Sequence, residues 1–281
     1  MNFISAILMG ILQGVAEFLP ISSSGHLALF QRFFGMENFE GTQMFFTVLL
    51  HFGTLISVFI VYWRDIVDMI REFCLAVVGL VRREEGGTPP PPARRMVMLI
   101  VVATLPLFVM ILFKDAIEAL FANTLLVSCA LIVTGFILFF SDRMARGRKN
   151  AKNATVVDAL IVGAGQALAI IPGLSRSGTT ISVGMMRGFD RSFAVRFSFL
   201  LSIPAVLGAT VLELKDAIEA GIDTSMLPVY LVGVVVSAVV GYFAIRLVKS
   251  LADKGKFGKF AYYCWAVGLG SFIAGVVLQA L

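Results

Sequence analysis

The chain alternates between long apolar runs and short polar stretches over its whole length. A helix needs about 20 apolar residues to cross the ~30 Å hydrocarbon core of a bilayer, and six of the runs reach that length. The pattern therefore predicts an all-α, polytopic membrane protein. The six predicted full spans are 44–63, 96–113, 123–141, 197–214, 226–247 and 260–280.

Two further apolar stretches, 1–36 and 155–186, are interrupted by proline, glycine and hydroxyl residues. How they cross can be inferred from charge, because 19 of the 23 Lys and Arg residues lie in four stretches. Basic loops stay in the cytoplasm, which predicts that the loops 37–43, 114–122 and 215–225 are external. The four basic, cytoplasmic stretches are 64–95, 142–152, 187–196 and 246–259.

The number of crossings then constrains the two interrupted stretches. Loops 142–152 and 187–196 fall on the same side, so segment 155–186 must enter and leave the membrane from the cytoplasm. This predicts a re-entrant helical hairpin. Residues 1–36 precede an external loop and contain Pro20, so they are predicted to form a second hairpin that enters from outside. Both chain termini are then external.

The two predicted hairpins resemble each other. Residues 13–25 read QGVAEFLPISSSG and residues 166–178 read QALAIIPGLSRSG, which aligns a glutamine, an alanine, two serines and a glycine. Because the hairpins enter from opposite sides, we interpret the resemblance as an inverted repeat, in which broken helices meet at a ligand site near the midplane. The chain is then one integral membrane domain over 1–281, with repeats at 1–115 and 123–281.

Composition agrees with a membrane domain and excludes other classes. Charged residues make up 15% of the 281 and hydrophobic residues 58%, whereas a soluble domain is about 25% charged. The net charge of +5 does not indicate nucleic-acid binding, because membrane orientation explains the basic loops. The N-terminus lacks the basic start of a secretory signal and is expected to be retained. Three cysteines beside apolar segments are interpreted as packing residues: Cys74, Cys129 and Cys264.

Glu17 and Arg176 are the only charged residues near the breaks of the predicted hairpins. A charge at the bilayer centre costs about 2.5–3.5 kcal/mol on insertion scales, so both residues need an explanation. They come from opposite repeats, and a midplane junction would bring them together. A purely structural ion pair is one alternative, but it leaves the neighbouring hydroxyls and His26 unexplained.

The first hairpin offers groups that suit a phosphorylated ligand. Gln13 and Glu17 share one helical face because they are four residues apart. After Pro20, a hydroxyl-rich turn contains Gly25, which lets backbone approach a ligand closely. Serine and histidine are potential nucleophiles, and a carboxylate can hold a metal ion or a proton. The candidate residues here are Gln13, Glu17, Ser22, Ser23, Ser24, Gly25 and His26.

The second hairpin offers groups that bind an anion. A helix that restarts after Pro172 and Gly173 would point free N–H groups at a ligand. Arg176 adds a planar, permanently charged fork that matches phosphate oxygens. Together the two hairpins favour phosphoryl transfer on a lipid substrate. The candidate residues of this hairpin are Ser175, Arg176, Ser177, Gly178 and Thr180.

These motifs resemble those of a known family. QGVAEFLPISSSGH (13–26) resembles the glutamate-plus-serine motif of the undecaprenyl-diphosphate phosphatases of the bacitracin-resistance type, and PGLSRSGTT (172–180) is similar to their second motif. The resemblance covers essentially the whole chain in length, span pattern and motif spacing. It implies hydrolysis of undecaprenyl diphosphate to undecaprenyl phosphate and inorganic phosphate. This reaction recycles the lipid carrier for cell-wall synthesis and confers bacitracin resistance.

The resemblance also implies residue roles and a setting. The family's essential glutamate, which is a metal ligand or a base, falls on Glu17, and its candidate nucleophiles fall on Ser23 and His26. The family's arginine falls on Arg176. The setting is the bacterial plasma membrane with the site facing outside, a Mg²⁺ or Ca²⁺ cofactor, surrounding membrane lipids and a homodimer. The residues placed around the diphosphate are Gln13, Ser22, Ser24, Gly25, Ser175, Ser177, Gly178 and Thr180.

One motif position varies, and two other features carry no predicted chemistry. Gln13 stands where the family often has glutamate, so cation binding is expected to rest on Glu17 and the phosphates of the substrate. His51, in the first full span, fits a helix-packing histidine at least as well as a site residue. Residues 82–95, RREEGGTPPPPARR, are interpreted as a solvated cytoplasmic connector.

Other functions fit parts of the pattern. The SSSGH run is similar to an element of type 2 phosphatidic-acid phosphatases, but these need a histidine after their arginine motif. Here no histidine follows Arg176. An ion-coupled secondary transporter or lipid flippase fits the repeat and the lone carboxylate of Glu17 equally well. A transporter needs no nucleophile, so the serine and histidine residues favour the phosphatase, and lipid flipping stays compatible with hydrolysis.

Overall fold

The computed structural model describes residues 2–33, 42–82, 90–220 and 224–280. Within these ranges the chain is helical, with one isolated β-bridge between Lys149 and Phe189 and no longer strand. The predicted all-α class is confirmed. The helices are α1 (Phe3–Phe18), α2 (Ser23–Phe33), α3 (Thr42–Val61), α4 (Trp63–Arg82), α5 (Pro92–Ile111), α6 (Lys114–Phe121), α7 (Thr124–Met144), α8 (Val156–Leu168), α9 (Arg176–Met186), α10 (Arg191–Ala220), α11 (Leu227–Asp253) and α12 (Phe260–Ala280).

Each of the six predicted spans corresponds to one helix: α3, α5, α7, α10, α11 and α12. Among the described residues, five helices are long and apolar enough to cross a membrane alone, and α3 qualifies together with α4 as a sixth. The chain is thus a multi-pass membrane protein. Parts of the predicted external loops, residues 37–41 and 221–223, lie outside the described residues. The loop 114–122 contains the short helix α6.

The predicted cytoplasmic loop 64–95 is not a plain loop, because α4 occupies more than half of it, while its side of the membrane stays a prediction. This helix bends by 85° from α3. Apolar residues on one face are exposed, among them Val67, Ile70 and Val77, while acidic and basic residues occupy the other face. An amphipathic helix at this angle to a span has the geometry of a helix that lies along the bilayer surface. In the predicted connector 82–95, residues 83–89 lie outside the described ranges.

Each predicted hairpin contains two short helices separated by a break. Pro20 follows the end of α1, and Ser22 adopts a left-handed backbone with φ of 69°. The break between α8 and α9 contains Pro172 and Gly173, the latter with φ of 96°. Proline cannot donate the next helical hydrogen bond, and a left-handed residue stops a right-handed helix. Sequence chemistry therefore explains both breaks.

The two ends of the α8–α9 unit lie side by side. The Lys149 amide donates to the carbonyl of Gly188 at 2.9 Å. The fully buried Asp158 carboxylate accepts bonds from Lys149 Nζ at 2.7 Å and from Arg187 Nε at 3.0 Å, and it also caps α8 with Thr155. The chain thus returns to the end of the molecule from which α8 starts. This is the geometry a re-entrant hairpin needs, while membrane sidedness stays a prediction.

The helix packing crosses between the two halves of the chain. α1 packs against α11, α8 packs against α5, and α3 lies between α10 and α11. α2 and α9 both contact α7. Because the first helix of each broken unit packs against the other half of the chain, the two breaks are brought together inside the bundle. The inverted relation of the halves and the repeat bounds 1–115 and 123–281 stay predictions.

Candidate active site

The two breaks touch through glycine residues. A Cβ atom built on Gly25 would lie 2.8 Å from the Cα atom of Gly173, which is closer than real Cβ contacts. Gly173 has a positive φ and packs against the carbonyl of Val127, so it too requires glycine. The Thr134 hydroxyl donates to the Gly173 carbonyl at 2.9 Å and accepts from the Ser175 amide at 3.2 Å. Backbone contact therefore sets the spacing of the breaks.

Substituting Gly25→Ala is expected to push the breaks apart. Two of the three nearest atoms belong to the backbone of Gly173 and cannot rotate away, and the third is the Ser22 hydroxyl oxygen. Such overpacking typically costs about 1–3 kcal/mol. We expect the unfolding temperature in detergent to fall by at least about 2 °C. Gly270→Ala is the matched control, because nothing lies within 4 Å of a Cβ atom there. Equal shifts in the two variants would contradict the contact.

A pocket of about 50 Å³ lies between the breaks and is partly open. Its walls come from the end of α1, the turn before α2, and the break that precedes α9. It has a hydroxyl-rich side from the first break and a guanidinium from the second. The lining residues are Ala16, Glu17, Ser22, Ser23, Ser24, Ala169, Leu174, Ser175 and Arg176. Six of the residues predicted from the sequence therefore share one pocket.

Glu17 connects the two breaks. Its residue is only 7% exposed, and its Oε1 atom accepts a bond from the Arg176 guanidinium. Its Oε2 atom accepts from Gln13 Nε2 at 3.0 Å and from Ser23 Oγ at 3.3 Å. The two predicted midplane charges are thus in contact. The charged partner and the two further donors replace the hydrogen bonds that this buried carboxylate would otherwise make to water.

Ser177, Gly178 and Thr180 do not line the pocket, and Ser175, which does, also holds the start of α9 in place. Ser175 caps α9 by accepting from the Gly178 amide at 3.1 Å. The Ser177 hydroxyl reaches the carbonyl of Leu19 at 3.4 Å. The Thr180 hydroxyl donates to the Arg176 carbonyl at 2.9 Å. These contacts hold the first turn of α9, and with it Arg176, against the first break.

His26 does not line the pocket. Its Nδ1 atom lies 2.8 Å from the carbonyl oxygen of Ser22, and its Nε2 atom lies 2.8 Å from the hydroxyl of Tyr263. A carbonyl only accepts, so Nδ1 carries the hydrogen and Nε2 accepts from the tyrosine. The two rings are also stacked at 5.6 Å. Both ring nitrogens are therefore engaged, and the predicted chemical role of His26 stays a prediction.

Two residues near the site were given no site role by sequence reasoning. Tyr263 on α12 holds His26 across 237 residues of chain, and no motif marks it. For His51 on α3 the sequence left packing and a site position open, and its Nδ1 atom lies 3.0 Å from Gln13 Nε2 and 3.6 Å from Glu17 Oε2. The only signal for His51 was its position as one of two histidines in the sequence.

The donor set around Glu17 fits a divalent cation that binds together with substrate. Within the described ranges, no three His, Cys, Asp or Glu side chains form a preformed metal cluster. The groups present are one carboxylate, one amide, one imidazole and the pocket hydroxyls. Mg²⁺ is commonly held by one or two carboxylates plus substrate phosphates. This chemistry suits the cation that the family resemblance implies.

Comparisons with known proteins agree with this picture along the whole chain. Residues 6–270 match the family described as "Bacitracin resistance protein BacA". An undecaprenyl-diphosphatase of Alkaliphilus metalliredigens is 44% identical over 95% of this chain and 97% of its own length. Proteins of the same name from Methanosphaera stadtmanae and Halothermothrix orenii are 41% and 42% identical, over 99% and 96% of this chain and over 100% and 96% of their own lengths. The chain therefore belongs to the BacA family of bacitracin resistance proteins, the undecaprenyl-diphosphate phosphatases that its two motifs resemble.

Proposed function

We propose that this protein hydrolyses undecaprenyl diphosphate to undecaprenyl phosphate and inorganic phosphate in the pocket between the two breaks. The observation that carries the proposal is the Glu17 carboxylate, which contacts the Arg176 guanidinium on one side and the Ser23 hydroxyl on the other. An anion-binding group and a potential nucleophile thereby face the same small space. The names of the similar proteins supply the lipid substrate.

Arg176 binds the diphosphate in this mechanism. Its fork-shaped guanidinium matches two phosphate oxygens, and its charge opposes the charge that spreads over the transferred phosphoryl group in the transition state. Glu17 fixes the direction of the fork by accepting one of its N–H bonds. The Ser175 cap and the Thr180 bond keep the backbone beneath Arg176 in place. The positive charge is thus preorganised before substrate arrives.

Ser23 is the proposed nucleophile. Its hydroxyl lies 3.3 Å from Glu17 Oε2, within reach of a base for its proton. Attack by Ser23 Oγ on the terminal phosphorus forms an Oγ–P bond and breaks the bond to the bridging oxygen. Undecaprenyl phosphate leaves, and the serine proton passes to Glu17. Water then hydrolyses the phosphoserine to inorganic phosphate. The engaged ring nitrogens of His26 favour Ser23 over the histidine.

A divalent cation, Mg²⁺ or Ca²⁺, completes the proposed site. Glu17 would hold it together with the phosphate oxygens of the substrate, and it would supply further charge neutralisation for the phosphoryl group. Ser22 and Ser24 line the pocket beside Ser23 and can donate to phosphate oxygens. Gly25 lets the first break approach the backbone of Gly173 in the second break.

The proposed setting follows from charge. The charge of the loops supports a cytoplasmic position for the end of the molecule that contains Asp158, and we infer that the pocket opens toward the outer face of the plasma membrane. The prenyl tail would lie among membrane lipids beside the helices, and the protein would act as a homodimer. Its reaction would return the carrier lipid to cell-wall synthesis. Hydrolysis would remove the diphosphate form of the lipid, and this reaction would confer the bacitracin resistance for which the family is named.

Purified protein in detergent tests the proposed reaction. Incubation with undecaprenyl diphosphate and Mg²⁺ is expected to release inorganic phosphate in proportion to enzyme. The matched control is undecaprenyl phosphate, which lacks the anhydride bond and should release none. Detergent micelles have no second compartment, so a transporter or flippase without hydrolytic activity would yield no phosphate from either lipid. That outcome would overturn the proposal.

A further inference from the structure

Three polar atoms beside the pocket lie at the corners of a small triangle, and the proposed mechanism gives a role to only one of them. Glu17 Oε2 and His51 Nδ1 each lie 3.0 Å from Gln13 Nε2, and they lie 3.6 Å from each other. The Gln13 amide donates one hydrogen to each. Two lone pairs, one from a carboxylate and one from an imidazole, therefore converge on the same positively polarised group.

The triangle has the dimensions of one face of a metal coordination sphere. Octahedral metal–oxygen bonds of about 2.1 Å place neighbouring ligand atoms about 3.0 Å apart, and the longer bonds of Ca²⁺ place them further apart. A half-turn of the Gln13 amide exchanges its nitrogen for its oxygen and presents a third lone pair. The unprotonated Nδ1 atom of His51 is the form that binds metals.

We propose that three side-chain atoms together hold the divalent cation of this enzyme: Gln13 Oε1, Glu17 Oε2 and His51 Nδ1. This inference rests on the proposed function, and it makes His51 a cation ligand instead of a packing residue. The cation replaces the bonds that Gln13 Nε2 donates to Glu17 Oε2 and His51 Nδ1, and it shares Oε2 with the Ser23 hydroxyl, which donates to the same oxygen. Phosphate oxygens of the substrate complete the coordination.

The charges of the neighbouring groups explain why the cation would bind only together with substrate. The negative charge of Glu17 is already matched by Arg176, so a divalent ion alone would leave a strongly positive cluster inside the membrane. A diphosphate group carries the negative charge that balances both cations. His51 is partly exposed, with 28% of its side chain accessible, so an entering ion can reach it.

The same ligand set indicates which cation is the better probe. Imidazole nitrogen is accepted more readily by first-row transition ions than by Ca²⁺, which prefers oxygen ligands. Mn²⁺ accepts both donor types and is paramagnetic. Electron spin-echo envelope modulation of bound Mn²⁺ detects a coordinated ¹⁴N nucleus directly, without any need for turnover.

The test uses the full-length protein in detergent with Mn²⁺ and methylenediphosphonate, a diphosphate that cannot be hydrolysed at its bridge. The chain has two histidines, so a histidine signal has only two possible sources. We expect ¹⁴N modulation in the natural protein, its loss in His51→Gln, and its retention in the matched variant His26→Gln. The Mn²⁺ concentration for half-maximal phosphate release should rise at least about tenfold in His51→Gln.

Several results would overturn the inference. These are bound Mn²⁺ without ¹⁴N modulation, modulation that survives in His51→Gln, modulation that disappears in His26→Gln, or no binding of Mn²⁺ at millimolar concentration. Phosphate release by the natural protein is measured on the same preparation. If release is present and ¹⁴N modulation is absent, the cation site alone is wrong. If release is absent, the proposed function itself fails.

Discussion

Arg176→Ala is expected to lower the turnover number for undecaprenyl diphosphate by about 10³–10⁵-fold, the range over which a single arginine stabilises phosphoryl transfer. Among the described residues, Arg176 is the positively charged side chain that both lines the pocket and contacts Glu17. Its removal takes away the charge that opposes the developing negative charge and leaves the Glu17 carboxylate buried without its partner. Phosphate release from purified protein measures the loss.

Two further variants separate chemistry from folding in this experiment. Arg176→Lys keeps the positive charge but loses the fork, so it should retain the fold and still lose at least about tenfold in turnover. Arg246→Ala removes an exposed arginine that bonds to Tyr242, far along the chain from the breaks, and should change turnover less than twofold. Turnover of Arg176→Ala within tenfold of the natural protein would exclude the assigned role.

Ser23→Ala is expected to lower turnover by at least about 10³-fold, because removal of a nucleophile leaves only binding and electrostatic stabilisation. Ser24→Ala is the matched control, since it removes a neighbouring hydroxyl of the same pocket. We expect the control to raise KM with a change in turnover of less than about tenfold. Similar losses of turnover in both variants would argue against a special role for Ser23.

Trapping the covalent intermediate identifies the nucleophile independently of rates. Brief incubation with substrate labelled in the terminal phosphate, followed by acid, should leave label on the protein as phosphoserine, which resists acid. His26→Gln should still form it, because the ring nitrogens of His26 are bonded to Ser22 and Tyr263. Label that is lost in acid and requires His26 would identify phosphohistidine and contradict the assignment to Ser23.

The spans and the central ion pair could be predicted from the sequence because simple physics requires them. A run of about 20 apolar residues has few alternatives to a membrane helix. A charge at membrane depth needs a partner, and the parity of basic loops placed Glu17 and Arg176 on facing units. Pro20 and Pro172 marked both breaks, since proline interrupts helical hydrogen bonding.

The residues that surround these charges could not be predicted in the same way. Whether His51 faces lipid, a neighbouring helix or the pocket depends on the rotation of α3 about its axis. The contacts of α3 with α10 and α11 set this rotation. Tyr263 is one of five tyrosines, and only the packing of α12 on α7 brings it near His26. The helix α4 was missed because its charged face lowers its mean hydropathy below that of a span.

The ion pair between Glu17 and Arg176 also has a consequence for how the protein is made. The two residues are 159 positions apart in the chain, which a ribosome covers in about 8–32 s. During that interval the nascent first half carries an acidic side chain whose basic partner does not yet exist. Until Arg176 has been synthesised, Glu17 must therefore either be in contact with water or be protonated. The pocket can form only after the second half of the chain has been inserted.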